Sequence, residues 1–443
     1  MTDLPFALVG AGPAGLAAAK TLTEQGVAFA GFEMHSDVGG LWDITGPRST
    51  MYETAHLISS KRMTEFTDFP MAAEVADFPS HRELKAYFSA FADRFDLRRH
   101  YRFNAEVVSA EPPEEAGGEG WRVRWRDVGA DGGELQEGRF AGLIIANGTL
   151  SEPNMPTFDG EFDGELIHSS AYRSPSQLAG KRVLIVGAGN SGCDIAIDAV
   201  HHARCCDISM RRGYHFVPKY IFGKPADTIG GAIRLPMWAK RRIDGTILRW
   251  FTGDPRRFGF PEPDHALYES HPIVNSLVLF HAGHGDLKVR PDVERFEGRT
   301  VHFRDGTSAD YDMVLAATGY RLHYPFVARE HLNWANGAAA PHLFLNAMHP
   351  ARDDIFVLGM VEASGLGWQG RHEQAELVAR YIAGLREGSA AAEKLKAEKA
   401  AGFERLTGGV DYLDLPRMAY YVEKNAFRTA VKARIAALRG EGA

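Results

Sequence analysis

Two stretches of the chain carry the same hydrophobic pattern. Phe6-Ala-Leu-Val9 is a short apolar run with no polar interruption, as expected of a strand buried on both faces. It runs into Gly10-Ala-Gly-Pro-Ala-Gly15, followed by an Ala-rich helical stretch over Leu16–Gln25, a turn at Gly26 and a second strand over Val27–Glu33. The pattern returns 177 residues later. There Lys181–Val186 is the strand, Gly187-Ala-Gly-Asn-Ser-Gly192 the turn, Cys193–His201 the helix and Asp207–Met210 the second strand. Strand, glycine turn, helix and strand within about 30 residues make the βαβ unit of a dinucleotide-binding fold. The prediction is an α/β protein with two Rossmann-like dinucleotide-binding domains.

The rest of the pattern is more mixed. Phe103–Ala110, Trp121–Arg126 and Leu135–Phe140 read as antiparallel strands, with Pro112–Gly120 as a polar, turn-rich connection and Ala141–Asn147 as another short buried strand. Tyr214–Gly285 has no clean period and reads as loops and short helices of the second unit. Thr300–Arg304, Tyr311–Thr318 and Ile355–Leu358 return as strands. Helices are expected over Gln374–Leu385, Ala390–Arg405 and Ala426–Leu438, where alternating charges fit solvated faces. The last of these, within basic Lys424–Arg439, has mainly Ala and Ile at its apolar positions, too little for more than weak interfacial binding.

Composition narrows the classes. With 50 Lys+Arg against 57 Asp+Glu and a net charge of −7, a general nucleic-acid binder is not expected. Three cysteines (Cys193, Cys205, Cys206) cannot frame a disulfide scaffold, and a reducing compartment is the simplest setting. No apolar run reaches the length of a membrane span, and Met-Thr-Asp-Leu-Pro-Phe has no basic n-region. The expectation is a soluble cytoplasmic protein with neither nucleic-acid nor membrane partners. No histidine pair stands at metal-ligand spacing on an obvious helix, so no metal is expected, and no CxxC accompanies either glycine turn.

The glycine turns carry the chemistry. The first glycine permits the tight turn, the second lets backbone approach a pyrophosphate, and the third lets helix and strand pack closely. The first turn (Gly10, Ala11, Gly12, Pro13, Ala14, Gly15) is followed 18 residues on by Glu33, where a carboxylate can accept the ribose hydroxyls of an adenosine without a 2′-phosphate. The second turn (Gly187, Gly189, Asn190, Ser191, Gly192) has Met210 at that spacing, then Arg211 and Arg212. Two guanidinium groups without a carboxylate suit a 2′-phosphate dianion. The first site is therefore expected to hold FAD, and the second NADPH in preference to NADH.

Further residues resemble a known family. Phe162-Asp-Gly-Glu-Leu-Ile-His168-Ser-Ser-Ala-Tyr172 reads as FxGxxxHxxxY, similar to the fingerprint of the flavin-containing monooxygenases; their Baeyer–Villiger relatives usually carry Trp where this chain has Tyr172. Gly39-Gly-Leu-Trp42, Lys61, Asp68-Phe-Pro70, Gly187–Ile195 and Ala317-Thr-Gly-Tyr320 resemble other family blocks, so the likeness runs from about residue 5 to about 385. It implies an NADPH domain (166–285) inserted into a discontinuous FAD domain (1–165 and 286–443). It also implies FAD contacts at Leu41, Trp42 and Val107 beside the first turn and Glu33.

The implied reaction is transfer of one oxygen atom from O2 to a soft nitrogen or sulfur nucleophile through a peroxyflavin, with Baeyer–Villiger oxygenation of ketones or uncoupled NADPH oxidation as alternatives. The substrate would be a small molecule. A homodimer is a family expectation. His168 is either a residue linking the two domains or a structural histidine, and no side chain is assigned as a catalyst. One position departs from the family: many members are expected to place an active-site Asn near the reactive edge of the flavin, three residues before the lysine, and here that position is Ile58, leaving His56, Ser59 or Ser60 as substitutes, protection by NADP⁺ and water exclusion alone, or a short-lived peroxyflavin that leaks peroxide.

Overall fold

The computed structural model describes residues 3–113, 120–129, 133–229 and 237–441. Most of the expected Pro112–Gly120 connection, and residues 230–236 of the aperiodic region, lie outside them.

In chain order the first unit contains β1 (Phe6–Val9), α1 (Pro13–Glu24), β2 (Phe29–Phe32), α2 (His81–Arg94), β3 (Tyr101–Arg102), β4 (Ala105–Glu111), β5 (Trp121–Asp127), β6 (Leu135–Phe140) and β7 (Gly142–Ile145). The second contains β8 (Glu165–His168), β9 (Arg182–Val186), α3 (Asn190–His202), β10 (Cys205–Ser209), α4 (Met237–Thr252), α5 (Leu277–His284), β11 (Leu287–Arg290), β12 (Val293–Glu297), β13 (Thr300–Phe303), β14 (Ser308–Asp310) and β15 (Met313–Ala316). The chain then returns with β16 (Ile355–Val357), α6 (Gly367–Arg386), α7 (Ala390–Ala400) and α8 (Lys424–Leu438).

Each unit is a parallel sheet between helices and a small antiparallel sheet. The first parallel sheet has the order β16-β7-β1-β2-β3 and the second β11-β10-β9-β15-β8. In β1, Phe6 and Leu8 face α1, α2, α6 and α8, while Ala7 and Val9 face Val107, Trp121, Val123 and Trp125 of the β4-β5-β6 sheet. In β9, Val183 and Ile185 face α3 and α5, while Leu184 and Val186 face Phe296, Val301 and Phe303 of the β12-β13-β14 sheet. Burial on both faces explains why these strands read as continuous apolar runs.

Here the expected domain boundary needs correction. Strands after residue 285 were expected to rejoin the first sheet, but β13 and β15 belong to the second unit. The physical reason is that β15 is apolar on both faces and fits only inside a parallel sheet, between β9 and β8. The crossing comes later, at Tyr320–Arg321, which pairs antiparallel with Glu152–Pro153, so the outgoing and returning connections lie side by side.

Helix starts also fall earlier than expected. Pro13 opens α1, where its missing N–H and fixed φ are no handicap. Glu423 caps α8 by accepting the Ala426 N–H at 2.7 Å, and Phe427, Val431 and Ile435 bury one face of that helix in the first core. Among the described residues no helix is long and apolar enough to cross a membrane, and no group of three or more His, Cys, Asp or Glu side chains could hold a metal ion.

Candidate cofactor and substrate site

Both glycine turns leave the carboxyl end of a central parallel strand, the edge where ligands bind in such sheets. Their geometries match closely. Gly10 has φ +105° and Gly187 φ +104°, and a Cβ on either would lie 2.6 Å from a carbonyl oxygen of the neighbouring strand end, Ala146 or Ala317. A Cβ on Gly15 would fall 1.9 Å from Gly10 O, and one on Gly192 2.0 Å from Gly187 O. Gly189, the middle glycine, faces open space, and Gly12 faces only Gly40, its Cα at 3.5 Å. The first intrahelical bonds are Leu16 N–H to Gly12 O and Cys193 N–H to Gly189 O, both 2.9 Å, so the N–H groups of Ala14, Gly15, Asn190, Ser191 and Gly192 precede them. Each turn thus offers a cradle and free donors to a pyrophosphate.

The second strands differ as the spacing requires. Gly10 N–H bonds Phe32 O and Gly187 N–H bonds Ser209 O, both at 2.8 Å, which makes Glu33 and Met210 equivalent. Glu33 accepts N–H bonds from Ala11 (2.7 Å) and His35 (2.8 Å), and burial pushes its carboxyl pKa up against these stabilising bonds. Met210 is buried. Arg211 is exposed with no partner among the described residues, and Arg212 stands 3.5 Å from Asp264.

Other expected contacts fall near the first turn. Leu41 and Trp42 lie on a short helical turn whose Gly40 packs on Gly12; Leu41 O accepts the Ser49 hydroxyl at 2.6 Å, and Trp42 meets Trp368 edge-on at 6.2 Å. Val107 sits at a bulge in β4 with its side chain in the core beside Phe32 and Trp125. Asn190 differs: its side chain is committed to the chain itself, donating to Pro272 O (3.1 Å) and accepting Val274 N–H (2.8 Å). Its backbone N–H is what it offers a ligand.

The fingerprint segment joins the units. Ser170 N–H donates to His168 Nδ1, so Nε2 carries the proton and donates to Gly319 O; both distances are 3.0 Å. Burial lowers the His168 pKa, in keeping with a neutral ring tying the fingerprint to the Ala317–Tyr320 connection. Tyr172, fully buried, donates to Asp198 of α3 (2.9 Å), which also accepts from Thr54 (2.5 Å), while Arg173 holds Ser49 O (2.9 Å) and Ser170 O (2.9 Å).

Ile58 lies on a loop between the two units whose polar groups are mostly spent. His56 bonds Thr54 O (2.8 Å), and Ser59 bonds Thr64 (2.7 Å). Ser60 N–H donates to Asp227 (2.6 Å), but its hydroxyl is buried without a partner among the described residues. Lys61 reaches the carbonyls of Ala72, Ala73 and Val75, holding the following loop in place.

Residues 5–408 match the family described as flavin-binding monooxygenase-like. The chain belongs to that family. It is 32% identical over 356 residues to indole-3-pyruvate monooxygenase YUCCA4 of Oryza sativa subsp. japonica, covering 74% of this chain and 77% of that one. It is 28% identical over 397 residues to dimethylaniline monooxygenase [N-oxide-forming] 2 of Pan troglodytes, covering 86% and 73%. A crystal structure of cyclohexanone monooxygenase in an open form superposes with a TM-score of 0.70 at 18% identity, over 99% of this chain and 98% of that one. This flavin-binding monooxygenase is therefore an enzyme dependent on NADPH and O2, with FAD and NADPH as cofactors.

A further glycine-bearing element packs against the first turn. β16 lies beside β7, which separates it from β1, and the Gly359–Gly367 loop leads from it into α6, which packs along α1. A Cβ on Gly359 would lie 2.9 Å from that of Ala14 in the first turn, and one on Gly367 2.4 Å from Met63 O. Gln374, wholly buried, accepts Gly359 N–H (2.9 Å) and donates to Leu345 O (3.0 Å), fixing the loop. This strand–glycine–helix run lacks GxGxxG spacing.

Proposed function

We propose that this enzyme transfers one oxygen atom to a soft nitrogen or sulfur nucleophile and takes its electrons from NADPH in preference to NADH. For a sulfide the balance is one sulfide, one O2, one NADPH and one proton giving one sulfoxide, one water and one NADP⁺. The observation that carries the reading is the buried Tyr172 in the fingerprint, bonded to Asp198, where the ketone-oxygenating relatives usually have Trp. A relative named for N-oxide formation supports it. The bound cofactors supply the redox chemistry and the activation of O2.

The chain's own work is binding, orientation and water exclusion. The Gly10–Gly15 turn and Glu33, with Leu41, Trp42 and the backbone at Val107, would hold FAD. The Gly187–Gly192 turn would hold the NADPH pyrophosphate through the Gly189 opening and the N–H groups of Asn190 and Ser191. Arg211 and Arg212 would take the 2′-phosphate. The Tyr172–Asp198–Thr54 contacts and Arg173 tie the two units together, which would help hold bound cofactors in a fixed relation and keep water out. We also infer a soluble protein working as a homodimer in the cytoplasm.

Ile58 favours a second reading, NADPH oxidation with release of hydrogen peroxide, because an aliphatic group offers no hydrogen bond at the reacting edge. The test is to supply thioanisole, N,N-dimethylaniline and cyclohexanone separately with NADPH. Sulfoxide or N-oxide accounting for the NADPH consumed supports the proposal; lactone as the main product points to Baeyer–Villiger chemistry, and peroxide alone to the oxidase.

A further inference from the structure

One face of the second unit stays uncovered among the described residues. Seven of the thirteen large apolar side chains left exposed there fall between Tyr220 and Phe251. On α4, Trp238 is 73% exposed and Trp250 82%, and no residue of the helix is buried. At about 100° per residue, Trp238, Arg242, Ile243, Thr246, Arg249 and Trp250 fall within an arc of about 140°, and all six are exposed. The opposite side seats the helix, where Arg241 pairs with Glu269 at 3.0 Å and Asp244 accepts the Tyr268 hydroxyl.

A hairpin tip continues this face. Tyr220–Ile221 pairs antiparallel with Lys224–Pro225 around the two-residue turn Phe222-Gly223. Phe222 holds φ +50°, a left-handed conformation that disfavours a side chain and that such turns usually give to Asn, Asp or Gly. Its ring is nonetheless 78% exposed, and it meets Phe251 of α4 edge-on at 4.9 Å, which joins hairpin and helix.

The charge on this face selects its partner. Between residues 219 and 257 nine Lys and Arg stand against three Asp, so the segment is +6 in a chain of −7. Four of these cations, Lys224, Arg242, Arg249 and Arg257, are exposed, and their side chains have no hydrogen-bond or ion-pair partner among the described residues. A two-fold contact of the face with itself would set like charges together, and a long nucleic acid would also run against the acidic remainder of the molecule. An anionic bilayer holds its charge at the surface, attracts cations over a Debye length of about 8 Å, and takes indole and phenyl rings at the headgroup level. We propose that this enzyme docks reversibly on anionic lipid bilayers through the exposed face of α4 and the Phe222 tip. Trp238, Trp250 and Phe222 enter the headgroup region, and Arg242 and Arg249 meet lipid phosphates. The docking is a surface contact and not a span, and it departs from the expectation of no membrane partner, which rested on composition and the length of apolar runs.

The test uses the holoenzyme with vesicles of phosphatidylcholine alone or with an equal share of phosphatidylglycerol, followed by co-sedimentation and tryptophan emission. Binding to the anionic vesicles is expected to be at least about tenfold tighter than to the neutral ones, as two or more basic side chains near the surface provide. It should weaken as salt is raised and shift tryptophan emission to the blue. Arg242→Glu with Arg249→Glu, and separately Trp238→Ser with Trp250→Ser, should each weaken binding at least about tenfold and leave NADPH oxidation without vesicles unchanged. No binding, equal binding to both vesicles, or binding that survives both pairs of changes overturns the proposal. Self-association without lipid that either pair of changes abolishes assigns the face to a second copy of the chain, and overturns it too. The comparison of the two vesicles with the unsubstituted enzyme stands whether or not the variants fold.

Discussion

Gly187 and Gly189 lie two residues apart and do different work. The first holds φ +104° against Ala317 O, whereas the second faces open space. Gly187→Ala should destabilise the protein by about 1–3 kcal/mol or more, visible as a fall in Tm, because an L side chain is strained there and meets a carbonyl. Gly189→Ala should leave Tm unchanged yet raise KM for NADPH about tenfold or more, by filling the pyrophosphate approach. A fall in Tm for Gly189→Ala, or an unchanged KM, would refute that division of roles. Arg211 and Arg212 give a second residue-scale prediction. The double change to Ala should raise KM for NADPH about 10- to 100-fold, the worth of lost charge-assisted bonds, and leave KM for NADH alone. Equal rises for both nucleotides would mean the pair reads something other than the 2′-phosphate.

At the level of elements, α8 shows how a basic amphipathic helix can be a core element. Some of its charges lie off the core, but Arg434 covers the Phe344 ring and Arg428 pairs with the buried Glu373, while Phe427, Val431 and Ile435 fill the first core beside α6. Phe427→Ala should cost about 3–5 kcal/mol, measured by thermal or urea unfolding. A change under about 1 kcal/mol would mean that the helix is peripheral. Both βαβ units were readable in the sequence because glycine spacing and a doubly buried strand are local signals. The return of the chain was not. β13 and β15 look alike whichever sheet they join, and the choice depends on which gap in a parallel sheet is free, a matter of tertiary packing. The paired connections Glu152–Pro153 and Tyr320–Arg321 are two residues each, too short to carry a period.

For the whole molecule, the site divides along the same line. The tight turns at Gly10, Gly15, Gly187 and Gly192 were legible, because their geometry is local. The Tyr172–Asp198–Thr54 contacts and the hold of Arg173 on Ser49 O were not, since they join segments far apart in sequence. Asn190 was legible as a helix-start residue, but its side chain went to Pro272 and Val274.

Stability should also depend on pH. Burial, with Arg352 and Lys399, lowers the His349 pKa to about 4, against about 6.5 in an unfolded chain. Between those values the unfolded state binds the proton and the folded state does not, so this contribution is present above about pH 6.5 and is lost as pH falls toward 4. Tm should decline over that window, and His349→Asn should remove part of the decline; an identical slope in the variant would contradict the assignment.

The most direct measurement is rapid mixing of the NADPH-reduced holoenzyme with oxygenated buffer, following flavin absorbance and peroxide together. A monooxygenase of this kind should show a blue-shifted absorbance that lasts seconds before the oxidised spectrum returns, shortened when a sulfide or amine is present. Immediate return of the oxidised spectrum with stoichiometric hydrogen peroxide, unchanged by either nucleophile, would contradict it.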